Sequence, residues 1–244
     1  MPAIAHTSRI DRRDDEGETD PLANYRVDMD LDDEADELSQ LVIPDVVIRR
    51  LPIYVRTLHL LLEREQTSVS SEELARMIDV TAAQIRRDLS YFGKFGKQGK
   101  GYDVSYLSHI IEQILQLDRT WGMVLCGMGK LGHAIANYRG FRRSSFAIEG
   151  LFDFDEANVG ETVNDMPIRP MSEVTEMIRE EGIRVGIIAT PRVQAQETAD
   201  LLVAGGVEAI LNYAPVILRV PEHVTVREID PVSALQSMTY YINE

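Results

Sequence analysis

The chain is short of several things, and each shortage excludes a class. It has one cysteine, Cys126, in 244 residues. No internal disulfide can form, which suits a reducing compartment. No apolar run approaches the roughly 18 residues that a membrane span needs. Residues 1–10 lack an apolar core of signal-peptide length, so the expected location is cytoplasmic. The five histidines, His6, His59, His109, His133 and His223, show no ligand spacing, and no metal site is expected. Basic charge is also scarce: 25 Lys and Arg stand against 40 Asp and Glu, a formal net charge of −15. Taken as a bulk value, that charge argues against nucleic acid.

The distribution of charge changes this reading. Residues 1–43 carry 13 acids and 4 bases, whereas residues 44–119 carry 10 acids and 11 bases. Between positions 84 and 100 Arg86, Arg87, Lys94, Lys97 and Lys100 face a single acid, Asp88. A compact basic patch in an acidic protein is the pattern of a footprint on phosphate. The segment 1–43 is acidic, poor in aromatics and without apolar period, and is expected to be a disordered tail.

From Pro44 to Glu65 the apolar residues Leu51, Val55, Leu58 and Leu62 form a helical stripe, with a break expected before Pro52. Ser70 with Glu73, and Thr81 with Gln84, are capping-box patterns that open two further helices. The second of these carries Ile85, Leu89 and Phe92 on one face. The opposite face offers Gln84, Arg86, Arg87, Ser90 and Tyr91 to a DNA major groove, since Arg and Gln pair with base edges and Ser and Tyr suit phosphates. Residues 93–102 hold four glycines among lysines and aromatics and read as a hairpin, with Lys94, Lys97 and Lys100 against the backbone. Together these are the parts of a winged helix-turn-helix, and an amphipathic helix over 104–117 follows.

Beyond Asp118–Thr120, read as the domain junction, apolar strands at 122–126, 146–153, 184–189, 209–212 and 224–229 alternate with helical patterns at 130–138, 171–181 and 192–204. That rhythm predicts a doubly wound parallel sheet. Gly127-Met128-Gly129-Lys130-Leu131-Gly132 lies between a strand and a helix, the context a dinucleotide fingerprint requires. Asp153 ends the second strand, 21 residues past Gly132, where a carboxylate would hold an adenosine ribose and repel a 2′-phosphate. Asp155 is the second candidate. Tyr138, Thr190-Pro191 and Asn212 stand at helix and strand ends that face the ligand crevice. The apolar spacing of a last helix, 232–242, forms a docking face. The expected domains are 1–43 (tail), 44–119 (winged helix), 120–230 (Rossmann) and 231–244 (terminal helix).

These strings carry a family resemblance. Arg50-Leu51-Pro52, the run from Gln84 to Gly93, Gly99-x-Gly101-Tyr102, the glycine fingerprint, Thr190-Pro191 and Leu211–Pro215 resemble the Rex redox-sensing repressors of bacteria, over about residues 44–244. The resemblance implies a homodimer with the terminal helix swapped into the partner. It implies repression at a palindromic operator when NAD⁺ prevails and release when NADH binds. It places Tyr138 near the nicotinamide, and Asp230 and Arg56 as polar partners linking cofactor to reading head. Pro231 departs from the pattern, because some relatives have an aromatic there. Two other readings remain. An NAD-dependent oxidoreductase would need a general acid/base, and the strand ends supply no histidine or lysine. A CoA- or nucleotide-binding module is the other. The chain is therefore expected to be no enzyme.

Overall fold

The computed structural model describes residues 43–97, 101–141 and 144–242. The expected tail therefore lies almost wholly outside the described residues, as do Lys100 and the side chain of Lys97. The chain falls into two compact units, one through Leu107 and the other from Ser108.

In the first unit, helix α1 (Asp45–Leu62) leads through strand β1 (Ser68–Val69) to helices α2 (Ser71–Ile78) and α3 (Ala82–Ser90). The break expected before Pro52 does not occur: α1 is one helix with Pro52 inside it. The reason is the stripe of Val47, Leu51, Tyr54, Val55, Leu58 and Leu61, which is buried on both sides of the proline while Pro52 itself faces solvent. Burying six side chains on one face outweighs the loss of one helical hydrogen bond. Both caps form where the sequence places them. Ser70 accepts from the Glu73 N–H and Glu73 accepts from the Ser70 N–H, the full reciprocal box. Thr81 accepts from the Gln84 N–H, but the Gln84 side chain does not reach back. Asp79, in the left-handed region at φ 55°, ends α2 and turns the chain into α3. Strands β2 (Gly96–Lys97) and β3 (Gly101–Asp103) pair antiparallel as the expected hairpin. The short strand β1, not foreseen, joins the other side of β3. Gly101 sits at φ +74°, and a Cβ there would meet the Val69 carbonyl oxygen at 2.5 Å, so β1 and β3 close only on glycine. Asp103 caps helix α4 (Val104–Ile114), which stops three residues short of the expected end.

The second unit is a seven-stranded sheet of β4 (Trp121–Cys126), β5 (Phe146–Asp153), β6 (Thr162–Val163), β7 (Met166–Pro170), β8 (Val185–Ile188), β9 (Ala209–Asn212) and β10 (Thr225–Glu228), in the order β10-β9-β8-β4-β5-β7-β6. Only β6 runs antiparallel to its neighbour. Helices α5 (Lys130–Ala136), α6 (Val174–Glu181, entered through a 3₁₀ turn at Met171–Glu173), α7 (Arg192–Gly205) and α8 (Pro231–Thr239) complete it. Alternate residues of β4 go to opposite layers. Met123 and Leu125 pack with Ile135 of α5, and Val124 and Cys126 with Val174, Ile178, Ala199 and Leu202 of α6 and α7. The chain leaves β4 toward β5 in one direction and returns to β8 in the other. The strand order therefore reverses at β4, and the crevice for a ligand opens at the carboxyl ends of β4, β5 and β8. The hairpin β6–β7, with Asn164 and Asp165 at φ 50° and 64°, was not foreseen.

Candidate functional site

Gly127, Met128, Gly129, Lys130, Leu131 and Gly132 turn the chain from β4 into α5, and the three glycines meet different surroundings. Gly127 has φ +96°, and a Cβ on it would lie 2.6 Å from the backbone of Ala189 and Thr190 at the end of β8. A Cβ on Gly132 would lie 1.9 Å from the Gly127 carbonyl oxygen. A Cβ on Gly129 would meet nothing within 4 Å. The outer two glycines thus serve the protein's own packing, and the middle one opens outward. Gly129 is also the N-cap of α5, and no side chain caps the free N–H groups there. Open backbone donors at a helix start form a cradle for phosphate. Lys130 and Leu131 are exposed beside it, whereas Met128 is buried.

Asp153 is brought to this turn, but it is turned inward. Its Oδ2 accepts from the Met128 N–H at 2.7 Å and from Asn158 Nδ2 at 3.0 Å, and its Oδ1 accepts from the Asp155 N–H at 2.9 Å. Of the four lone-pair sites of a carboxylate, one on Oδ1 is left. Asp155, two residues on, is exposed, with its Oδ1 accepting from the Ala157 N–H. Asn158 was not foreseen as part of the site. No spacing rule would have found it, since its role depends on how the loop after β5 folds back.

Thr190 and Asn212 are buried and committed internally. Thr190 shares a hydroxyl contact of 3.3 Å with Thr198, and Asn212 braces the following loop through the Ala214 N–H and the Val216 carbonyl. Pro191 caps α7. Between the N-terminus of α7 and the ends of β9 and β10 a crevice of about 540 Å³ is lined by Arg192, Asn212, Glu228 and Asp230 among others. Asp230 caps α8, accepting from the Val232 N–H and the Ser233 hydroxyl, and these bonds hold its carboxyl below the usual range. Tyr138 is exposed, edge-on to Phe141. Burial, and then the neighbouring Tyr138, push the Tyr213 phenol up.

In the first unit, Arg87 projects from α3 into solvent, and Lys94 is exposed at the root of the hairpin. Tyr91 is half-buried at the end of α3. Ser90 bonds back to the Arg87 carbonyl. Arg86 is turned onto α2, where it donates to Ser71 at 2.7 Å and Glu72 at 3.0 Å. Asp88, the single acid of the basic stretch, is fully buried and takes four hydrogen bonds: Arg50 Nε at 2.6 Å, Arg50 Nη2 at 2.8 Å, Tyr54 hydroxyl at 2.5 Å and Gln84 Nε2 at 2.6 Å. Burial drives its carboxyl up, but the bonds from Arg50, Tyr54 and Gln84 outweigh burial and hold it below the ordinary range. The same pair raises the Arg50 guanidinium, chiefly through the Asp88 bond. Arg56 is exposed on α1. Among the described residues no group of three or more His, Cys, Asp or Glu could hold a metal ion, and no helix is long and apolar enough to cross a membrane.

A reading helix with an exposed arginine and a small wing, joined to a Rossmann unit with an open glycine turn, defines a DNA-binding regulator with a nucleotide-type ligand domain. Residues 42–90 match the family described as putative DNA-binding protein N-terminus, and residues 118–216 the CoA binding domain. The chain is 57% identical over 199 residues to the redox-sensing transcriptional repressor Rex of Chloroflexus aggregans, covering 82% of this chain and 94% of that protein. The crystal structure of RSP in complex with β-NAD⁺ and operator DNA is similar, with 39% identity, a TM-score of 0.78 and coverage of 83% of this chain and 93% of that one. The structure of RSP with β-NADH has a TM-score of 0.74 at 37% identity, covering 83% and 95%. The chain belongs to the Rex family of redox-sensing transcriptional repressors.

Proposed function

We propose that this chain holds a palindromic operator through α3 and its wing and releases it when NADH occupies the Rossmann crevice, NAD⁺ leaving the DNA-bound form in place. The observation that carries the reading is the glycine turn, crowded at Gly127 and Gly132 and open at Gly129. The pyrophosphate lies over Gly129 and the start of α5. The adenosine ribose lies over the end of β5, where Asp155 and the remaining lone pair of Asp153 take its hydroxyls. Tyr138, Thr190, Pro191, Asn212 and Asp230 shape the rest of the crevice. Arg87, Gln84, Ser90 and Tyr91 face the groove, Lys94, Lys97 and Lys100 follow the backbone, and Arg86 stays within reach of phosphate. The RSP complexes with each cofactor form and with operator DNA support this assignment. CoA fits less well, because its 3′-phosphate would meet the carboxylates of Asp153 and Asp155. The chain acts as a regulator and not an oxidoreductase: buried Thr190 and Asn212 are spent on internal bonds and supply no acid or base. Its action on operator DNA places it in the cytoplasm.

The homodimer rests on α8. Val232, Leu235 and Met238 are 57%, 61% and 60% exposed, an apolar face on a nine-residue helix with no buried residue. A second copy that exchanges this helix covers it, and a palindromic site needs two heads. Removing residues 232–244 should leave a monomer or an unstable dimer with weak operator affinity. A truncated chain that still sediments as a dimer would place the main contact elsewhere. The test of the whole reading is an operator-binding titration with NADH and NAD⁺ added separately. Saturating NADH should weaken operator affinity by at least about 1–3 kcal/mol of coupling, and NAD⁺ should not. Equal affinity with and without NADH refutes the sensor.

A further inference from the structure

We propose that Asp88 is the positioning residue of the reading head, and that by fixing the amide of Gln84 it makes Gln84 select a base with an exocyclic amine on its major-groove edge. The inference rests on the DNA-binding reading above. Asp88 lies within α3 and is fully buried, with both carboxylate oxygens doubly occupied. Three of the four bonds come from outside its own helix, from two residues of α1: Arg50 by two nitrogens and Tyr54 by its hydroxyl. A buried network with every member paired admits one arrangement and penalises others. It therefore sets the roll of α3 on α1, and with it the direction of every exposed side chain on α3.

The fourth bond carries the specificity. An amide side chain ordinarily leaves its oxygen and nitrogen interchangeable. An ionised carboxylate only accepts, so the Gln84 atom 2.6 Å from Asp88 is Nε2 and Oε1 is the atom left over. Gln84 is half-buried at the third position of α3, in the first turn, where a reading helix meets base edges. That remaining acceptor suits the N6 amine of adenine or the N4 amine of cytosine, and opposes the O6 of guanine and the O4 of thymine. The bond to Asp88 also explains why the second capping box forms by half: the side chain that would close it is held four residues further along the helix.

The test selects the preferred half-site of the full-length chain from randomised duplexes, then measures affinity for every single-base change in that site. One position should prefer adenine or cytosine by about tenfold or more. In Gln84→Ala that preference should fall below about threefold, with the other positions unchanged. Asp88→Asn should flatten the same position, and the double variant should flatten it no further. Tyr54→Phe, which removes one bond to Asp88 and leaves α3 intact, should flatten it part-way and serves if Asp88→Asn does not fold. If Gln84→Ala keeps the parent's preference pattern, or folded Asp88→Asn and Tyr54→Phe lower affinity equally for all sites, the proposal is overturned while the DNA-binding reading stands. A parent chain that selects no sequence overturns both.

Discussion

Gly129→Ala and Gly132→Ala add the same methyl group three residues apart and should have opposite consequences. The Gly132 Cβ would sit 1.9 Å from the Gly127 carbonyl oxygen, at least about 1 Å closer than real Cβ atoms come. That oxygen cannot retreat easily, because Gly127 is itself pressed against the backbone of Ala189 and Thr190. Forced overpacking of this kind costs about 3 kcal/mol or more, and the better helix propensity of alanine returns about 1 kcal/mol. The net loss is about 2 kcal/mol, or roughly 4–8 °C in Tm for a protein of this size. Gly129 has φ −70°, which any residue adopts, and open space around it. Alanine there should leave the melt unchanged or raise it slightly, through about 0.4–1 kcal/mol less freedom in the unfolded chain. The methyl would then stand where the pyrophosphate approaches. Losing one charge-assisted bond from the backbone is worth about 1.5–3 kcal/mol, so NADH affinity should fall roughly ten- to over a hundredfold. Thermal melts by circular dichroism and NADH fluorescence titrations read the two effects separately. Should Gly129→Ala bind NADH like the parent, the open side of the turn is not the phosphate site. Should Gly132→Ala melt like the parent, the contact with Gly127 does not govern how α5 packs.

Three other outcomes follow from the described contacts. Arg87→Ala should weaken operator binding by about 1–3 kcal/mol, while Lys94→Ala should weaken all duplexes alike and flatten the salt dependence by about one; salt-series binding curves on specific and random duplexes separate them. Asp155→Ala should lower NADH affinity about tenfold and spare NADPH more, whereas Asp153→Asn should also lower the Tm, because it puts an amide beside the donors of Asp155 and Asn158; unchanged NADH preference in Asp155→Ala would leave the ribose to Asp153. The Asp88 carboxyl is held below its ordinary value, so the stability it contributes is complete above about pH 4 and is lost as pH falls through the depressed value; in acid titrations the stability gap between the parent and Asp88→Asn should stay constant from about pH 7 to 5 and narrow below about 4.

The sequence was most legible where a signal is local. Ser70 and Glu73 close the box that their spacing announces, and the glycine fingerprint takes its place between β4 and α5. Strands 146–153 and 209–212 have the bounds that their apolar runs suggest. Legibility failed where the deciding partner is distant. Pro52 looks like a breaker until the buried stripe on both sides of it is seen. Strand β7 contains Pro167 and Pro170, residues that argue against a strand, and it forms because β5 and β6 flank it. Asp88 reads as a stray acid in a basic stretch, and only the fold brings Arg50 to it across 38 residues. Spacing from Gly132 singles out Asp153, but which way its carboxylate turns depends on the loop to Asn158.

Cys126 bears on what kind of redox signal the chain can register. The thiol is fully buried at the end of β4, and burial, with the charge of Asp153 nearby, pushes it far from the thiolate form. Peroxide and disulfides react with thiolates that they can reach, and the chain holds no second cysteine to resolve an oxidised one. Oxidants that flip thiol switches should pass this protein without acting on its sulfhydryl. Its response to metabolism is thereby kept apart from thiol oxidation: it registers which small molecule occupies the crevice, and its single sulfhydryl stays as it is.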